Sequence, residues 1–482
     1  MENKLNEYIA SKITTGAQLT IVVNRDGFLA QEDTRQEMMA CGVELISGRG
    51  LELRIQFELA NWHAERVCLV IQQESDIMPD IRENYSLLYF SIYSDVLSRY
   101  DEDIIRCGVS YRQAEYLYSH LPAYLQNAMQ TRLAIAEAEA IYGQDLSKQK
   151  HTLEQIPLDW KNPETIQNIS EILCEAFRTD SFEQIAHEIA VINYNFQSYL
   201  DKEYGALKSS SYVGRPKLVS KILPHIAYKH EKNDKVALIV VDGMSYWQYI
   251  LLRQELKLFN MNPKDNFTFS WLPSITQLSR QAIFRGNNPL EVYTQNHDSE
   301  SRLWMEFWQS GNRQNKKILR SDINYYWGGF PILDMQPLRL AYVNNELDDF
   351  MHTCRHYSDL HSLTTNWSKR MAKVLANLHE KGYTIYITSD HGSICALPWR
   401  SLKQEEKNTL LRTSRGARHL IYEKPEYLKM FLEKNQDIQP TLRTSERFAV
   451  WKNDMCFQNE SLITHGGSHF MEVIVPFIEI EP

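Results

Sequence analysis

VALIVVDG, residues 236 to 243, is an unbroken apolar run that stops at a carboxylate and a glycine. A run of that length, rich in β-branched residues and without polar alternation, has to be covered on both faces, as an interior strand of a parallel sheet is. YTIYITSDHG, 383 to 392, repeats the design: a strand reading followed by a tight turn that carries Asp390 and His391. A helix over YWQYILLRQEL (246–256), a strand near FTFSWLP (267–273) and a helix after SITQ (274–277) fill the interval. Such alternation predicts an α/β fold over 231–482, a mostly parallel sheet with helices on both faces. In that architecture ligands bind beyond the carboxyl ends of the strands, where both runs place their acidic residues.

At 482 residues the chain exceeds one ordinary core, and domains of about 100 to 250 residues are expected. LTIVVN (19–24) and VCLVIQ (67–72) read as short buried strands, so 1–150 is expected to form a smaller α/β module. Apolar residues three and four apart in IQNISEILCEAF (166–177) and FEQIAHEIAVINYNF (182–196) make 151–230 a helical connector. SSSYVGRPK (209–217) supplies a polar hinge. A net charge of −9 argues against indiscriminate adhesion to nucleic acid, though not against a local basic groove. Seven scattered cysteines without a C-x-x-C pair fit reduced thiols, and no apolar run approaches the length of a membrane span, so a soluble, cytoplasmic protein without membrane contact is expected.

Four stretches can do chemistry. Asp242 ends the first strand; the bland alternative is an ordinary strand–Asp–Gly turn. In WLPSITQLSRQAIFRGNNP (271–289) Ser274 and Thr276 stand where a helix begins, as caps or as a hydroxyl nucleophile in the positive end of the dipole. Arg280, one turn on, faces the same side and is expected to reach a phosphate oxygen, while Arg285 and Gly286 end the helix structurally. In NNELDDFMHTCRHYSDL (344–360), Asp348 and His352 are four apart, on one helical face and close enough to share a cation. Asp349, His356 and His361 are weaker rivals from this region, and a solvated hydrogen bond is the plain alternative for the pair. LITHGGSHFMEVIVPFIEI (462–480) offers His465 before two glycines, His469 as an alternate ligand, Glu472 as a residue that caps this loop, and a buried final strand. Together these side chains approach the number of N and O donors that two zinc ions take with positions left open for substrate.

The order VDG, P-S-x-T, D-x-x-x-H, SDHG and HGG resembles the alkaline phosphatase superfamily and, within it, the PglZ domain, over about residues 231–482. The first half resembles, more weakly, the N-terminal part of PglZ proteins of BREX-type phage-defence systems, although this chain is shorter than their usual members. The resemblance implies two divalent metal ions, expected to be zinc. One would be held by Asp348, His352 and His465; the other by Asp242, Asp390, His391 and the Thr276 oxygen, with Thr276 as nucleophile and a phospho-threonyl intermediate. It also implies phosphatase or phosphodiesterase activity on a nucleic acid or nucleotide phosphodiester, alongside other defence-system subunits. Two departures from the family pattern, Ser274 in place of threonine and Ser-His-Phe-Met after HGG, replace no expected ligand.

Substrate contacts are expected from the basic and aromatic stretches RSDINYYWGGF (320–330) and RTSRGARH (412–419), with Arg415 and Arg418 joining Arg280 on phosphate. Packed aromatics and solvated arginines are the alternative. The competing function is a metal-stabilised scaffold that binds partner subunits with weak or vestigial catalysis. Within enzymes the competing activity is a phosphomonoesterase.

Overall fold

The computed structural model describes residues 4–59, 66–290, 294–310, 317–331, 336–413 and 417–482. Two compact units form, Met1–Thr152 with His361–Asn366, and Leu153–Leu360 with Trp367–Pro482.

The first unit carries a sheet of β1 (Leu19–Val23), β2 (Val43–Ser47), β3 (Arg66–Ile71) and β4 (Ser86–Tyr89) in the order β2-β3-β1-β4, parallel throughout. Strand periodicity sorts its side chains between two cores. Ile21, Val23, Leu69 and Ile71 pack on one face and Val22, Cys68 and Val70 on the other. β2 and β4 escaped the sequence reading because they mix polar with apolar residues at an edge.

The second unit begins its strands with β5 (Val236–Val241), β6 (Phe267–Phe269), β7 (Ile323–Trp327), β8 (Arg339–Asn344) and β9 (Thr384–Thr388). Shorter strands follow: β10 (Ile394–Pro398), β11 (Leu410–Thr413), β12 (His419–Tyr422), β13 (Leu442–Thr444), β14 (Phe448–Trp451), β15 (Met455–Cys456) and β16 (Leu462–Thr464). β17 (Ile474–Ile480) comes last. The main sheet has the order β6-β17-β9-β5-β8-β7. β9, β5, β8 and β7 are parallel, and β17 runs antiparallel between β9 and β6. Every residue of β5 and β17 is buried; β5 is apolar throughout, and the one charged residue of β17, Glu479, accepts from the Lys229 ammonium at 2.7 and 2.6 Å.

β10, β15 and β16 form a small second sheet, and β11, β12, β14 and β13 an antiparallel one with its own core around Leu420, Tyr422, Phe431 and Trp451. The helices Pro163–Arg178 and Phe182–Lys208, expected as a connector, pack inside this unit. Phe177 lies edge-on to Trp247 at 4.9 Å, and the Gln197 side-chain amide donates to the Ser468 carbonyl at 2.6 Å. The stretch expected as a hinge is fastened too. Arg215 donates to the Asn266 side chain at 2.7 Å and lies 4.1 Å over the Phe267 ring. Among the described residues no helix is long and apolar enough to cross a membrane.

Candidate metal centre

β5 and β9 are neighbours in parallel register, so both deliver their terminal turns to one edge of the sheet. Asp242 follows β5, and Asp390 and His391 follow β9. The two turns are laced together. Asp390 Oδ1 accepts from the Gly243 amide at 3.2 Å and the His391 amide at 3.1 Å, and Ser389 Oγ accepts from the Met244 amide at 3.0 Å. Gly243 takes φ +73°, a left-handed conformation that favours glycine, and this turn sets the strand end beside the helix Glu346–Thr353.

That helix presents Asp348 and His352 one turn apart, with His352 Nε2 3.4 Å from Asp348 Oδ2. The loop after β16 brings His465, whose ring stacks on His391 at 3.7 Å between centroids and 5° between planes. Ser274 ties this loop down: its hydroxyl donates to the Gly467 carbonyl at 2.9 Å and accepts from the Gly466 amide at 3.2 Å, and its carbonyl meets His465 Nδ1 at 3.0 Å. Thr276 opens the helix Thr276–Arg285, and its Oγ1 lies 3.0 Å from His391 Nε2.

The donor atoms fall into two overlapping groups, each within 4.8 Å: Asp348, His352 and His465, and Asp242, Asp348 and His391. Asp348 thus faces both. Asp390 Oδ2 stands 3.7 Å from His391 Nε2, alongside the second group. Three buried carboxylate oxygens, Asp242 Oδ1, Asp348 Oδ1 and Asp390 Oδ2, have no hydrogen-bond partner among the described residues. Orphaned anionic oxygens facing imidazole nitrogens fit a divalent cation better than a structural hydrogen-bond network.

The electrostatics agree. Burial and the adjacent Asp390 push Asp242 well above the usual carboxylate range, and burial raises Asp390 as well, only partly offset by Arg280. Burial, with His391 alongside, drives His465 down to about 3. Asp348 would also rise on burial, but the imidazoles of His352, His465 and His391 surround it and hold it below the usual range. Two acids pushed up, Asp242 and Asp390, and one imidazole pushed down, His465, fit ligands packed together where a cation would supply positive charge.

Not every expected residue joins this centre. Arg280 is buried and committed elsewhere, donating to Asp242 Oδ2 at 2.7 Å and to both Glu300 oxygens at 2.8 and 3.2 Å, so it does not extend toward a phosphate. Arg418 is fully buried and pairs with Glu472 at 2.9 and 2.8 Å while donating to the Met455 and Asn453 carbonyls. Expected on substrate, it is instead a strut: its guanidinium has 0% exposure and gives four of its five N–H groups to these partners. Arg415 lies outside the described residues. Asp349 and His356 are exposed, His361 is buried on the helix Tyr357–Glu380, and His469 caps the turn Phe470–Val473; none joins either donor group. Glu472 caps the His465 loop as expected, accepting from the Gly467 amide at 2.8 Å and the His469 amide at 3.2 Å. Of RSDINYYWGGF, Ile323–Trp327 forms the edge strand β7, and the Tyr325 hydroxyl donates to Glu300 at 2.7 Å.

Glu300 was missed. The available signal was its place on the stripe Glu300, Trp304, Trp308 of the helix His297–Ser310, where a carboxylate shares a buried face with two indoles.

A model of the family described as the BREX system PglZ alkaline phosphatase-like domain matches residues 219–480. Among solved structures, murine ectonucleotide pyrophosphatase/phosphodiesterase 5 aligns at 13% identity over 52% of this chain and 88% of its own, with a TM-score of 0.36. Phosphonoacetate hydrolase from Sinorhizobium meliloti 1021 in complex with phosphonoacetate aligns at 10% identity over 51% and 90%, with a TM-score of 0.34. No curated protein matches the chain.

Proposed function

Because the chain belongs to the BREX system PglZ family of alkaline phosphatase-like domains, we propose that it is a divalent-metal-dependent phosphoester hydrolase acting on phosphodiesters. The observation that carries this reading is the convergence of Asp242, Asp348, Asp390, His352, His391 and His465, with three orphaned carboxylate oxygens, beside the Thr276 hydroxyl at a helix start. Asp348, His352 and His465 hold one cation; Asp242, Asp390, His391 and Thr276 Oγ1 hold the other. We assign both as zinc, since mixed imidazole and carboxylate donors suit it. When bound, the pair supplies Lewis-acid stabilisation to the oxygens that gain charge during displacement at phosphorus.

The chain's own residues do the rest. Thr276 Oγ1 stands 3.0 Å from His391 Nε2, which places the hydroxyl at the same cation position that His391 would serve, and the amino end of the helix Thr276–Arg285 favours the incoming anion. Thr276 Oγ1 attacks phosphorus as the bond to the leaving alcohol breaks; the hydroxyl proton ends on that alcohol, and the threonine is left esterified to a phosphate that keeps its other ester group. Attack by water then returns the free hydroxyl and a phosphomonoester. The substrate we propose is a nucleic acid or nucleotide phosphodiester, met in the cytoplasm within a phage-defence system and its other subunits.

The test is direct. Purified protein should contain about two zinc per chain and hydrolyse bis-nitrophenyl phosphate in a chelator-sensitive manner, and a panel of nucleotides and oligonucleotides should then identify the natural class. Zinc-loaded, folded protein that cleaves no phosphoester would leave a metal-stabilised scaffold as the better account.

A further inference from the structure

Glu300 has 0% exposure in a helix whose other buried positions are tryptophans. A carboxylate so placed is costly unless several donors satisfy it, and four reach it. Arg280 provides Nε at 2.8 Å and Nη2 at 3.2 Å, Tyr325 its hydroxyl at 2.7 Å, and Gln295 its side-chain amide. The remaining arm of the same guanidinium, Nη1, donates to Asp242 Oδ2 at 2.7 Å. Asp242 is thereby left with one oxygen, Oδ1, for a cation.

Arg280 thus stands between two buried carboxylates, one at the sheet edge among the metal-binding groups and one outside them. Without Glu300 its positive charge would act on the cation position undivided. Without Arg280 the Asp242 carboxylate would lose the hydrogen bond that holds its Oδ2.

We infer that Glu300 is a positioning residue of the metal centre, which through Arg280 fixes Asp242 as a one-oxygen ligand and offsets the arginine's charge beside the second cation position. The inference rests on Asp242 being a metal ligand, as proposed above. Tyr325, on β7, orients Glu300 from the far side, so a residue of the sheet's edge strand helps to aim a ligand two strands away. Outer partners of metal ligands typically change metal affinity by about 10- to 100-fold when removed.

The experiment is a zinc titration of the full chain against a chromophoric chelator, which resolves the two affinities. Wild type should bind two cations; wild type that binds none would overturn the proposed function itself. Glu300→Gln keeps the shape and removes the charge, and should weaken one affinity by at least about tenfold while leaving the other unchanged. Because the effect passes through Arg280, the loss in Arg280→Met with Glu300→Gln should be clearly smaller than the sum of the two single losses. Two unchanged affinities in folded Glu300→Gln, or fully additive losses, would overturn the inference. Should Glu300→Gln not fold, Tyr325→Phe decides: a severalfold loss at one position supports the relay, and no loss refutes it.

Discussion

Thr276 combines three conditions: a helix start, an imidazole nitrogen at 3.0 Å, and the donor groups of two candidate cation positions nearby. Thr276→Ala should therefore lower diester hydrolysis by roughly 10³-fold or more while leaving the unfolding midpoint nearly unchanged, since the lost group is the nucleophile. Rate and urea-denaturation measurements on one preparation separate the two effects. A different residue governs acid stability. His419 sits beneath the His465 loop, where a Cβ on Gly466 would come 2.8 Å from its Nδ1, and burial alone pushes it down to about 4 from an ordinary 6.5. Above 6.5 the folded and unfolded chains carry the same neutral imidazole. Between 6.5 and 4 only the unfolded chain takes up the proton, so stability falls as pH falls through that window. In urea melts with chelator present, wild type should lose on the order of 3 kcal/mol more than His419→Gln between about pH 7 and about pH 4. Parallel losses in the two proteins would show that His419 is already protonated when folded.

Among the elements, the turns after β9 and β16 carry the tightest backbone constraints. A Cβ at Gly392 would lie 2.1 Å from the Met471 carbonyl and 2.7 Å from Ser245 Oγ, and the Gly392 amide donates to the Glu472 carbonyl at 2.9 Å. Gly392→Ala should cost on the order of 2–4 kcal/mol by forcing these backbones apart, and should release zinc in parallel; equilibrium unfolding and metal analysis read both. Much of this was legible in the sequence for a local reason. Asp242, Asp390 and His391 each follow a strand recognisable from its own residues, and Asp348 with His352 is a four-residue spacing on one helix. Arg280 and Arg418 were misjudged because an arginine's partner is a matter of tertiary contact: Glu300 is 20 residues from the first, and Glu472 54 from the second. β8 was hidden because its apolar stretch begins at a buried Arg339 and ends at Asn344, whose side chain accepts from the Trp367 indole at 2.9 Å. The antiparallel sense of β17 was unreadable because strand direction belongs to the pairing and not to the residues.

For the molecule as a whole, the donor cluster is an electrostatic liability that a cation converts into stability. Asp242 and Asp390 lie within one buried cluster, and each is raised by burial. A ligand bound only by the folded chain adds about 2.7 kcal/mol per site at a hundredfold excess over its dissociation constant. Zinc should move the urea midpoint upward and EDTA should reverse it, while magnesium, which prefers an all-oxygen octahedral shell, should do less. An unfolding curve indifferent to zinc would mean that the cluster does not gather around a cation. The donors arise from five separated stretches, at 242, 276, 348–352, 390–391 and 465, which meet only when the sheet is assembled. A protease nick anywhere between Asp242 and His465 therefore leaves each fragment with an incomplete set, and neither piece alone can hold the pair of ions. Two such halves, mixed, would regain zinc only by rebuilding the β-sheet between them, which makes ion uptake a natural reporter of fragment complementation.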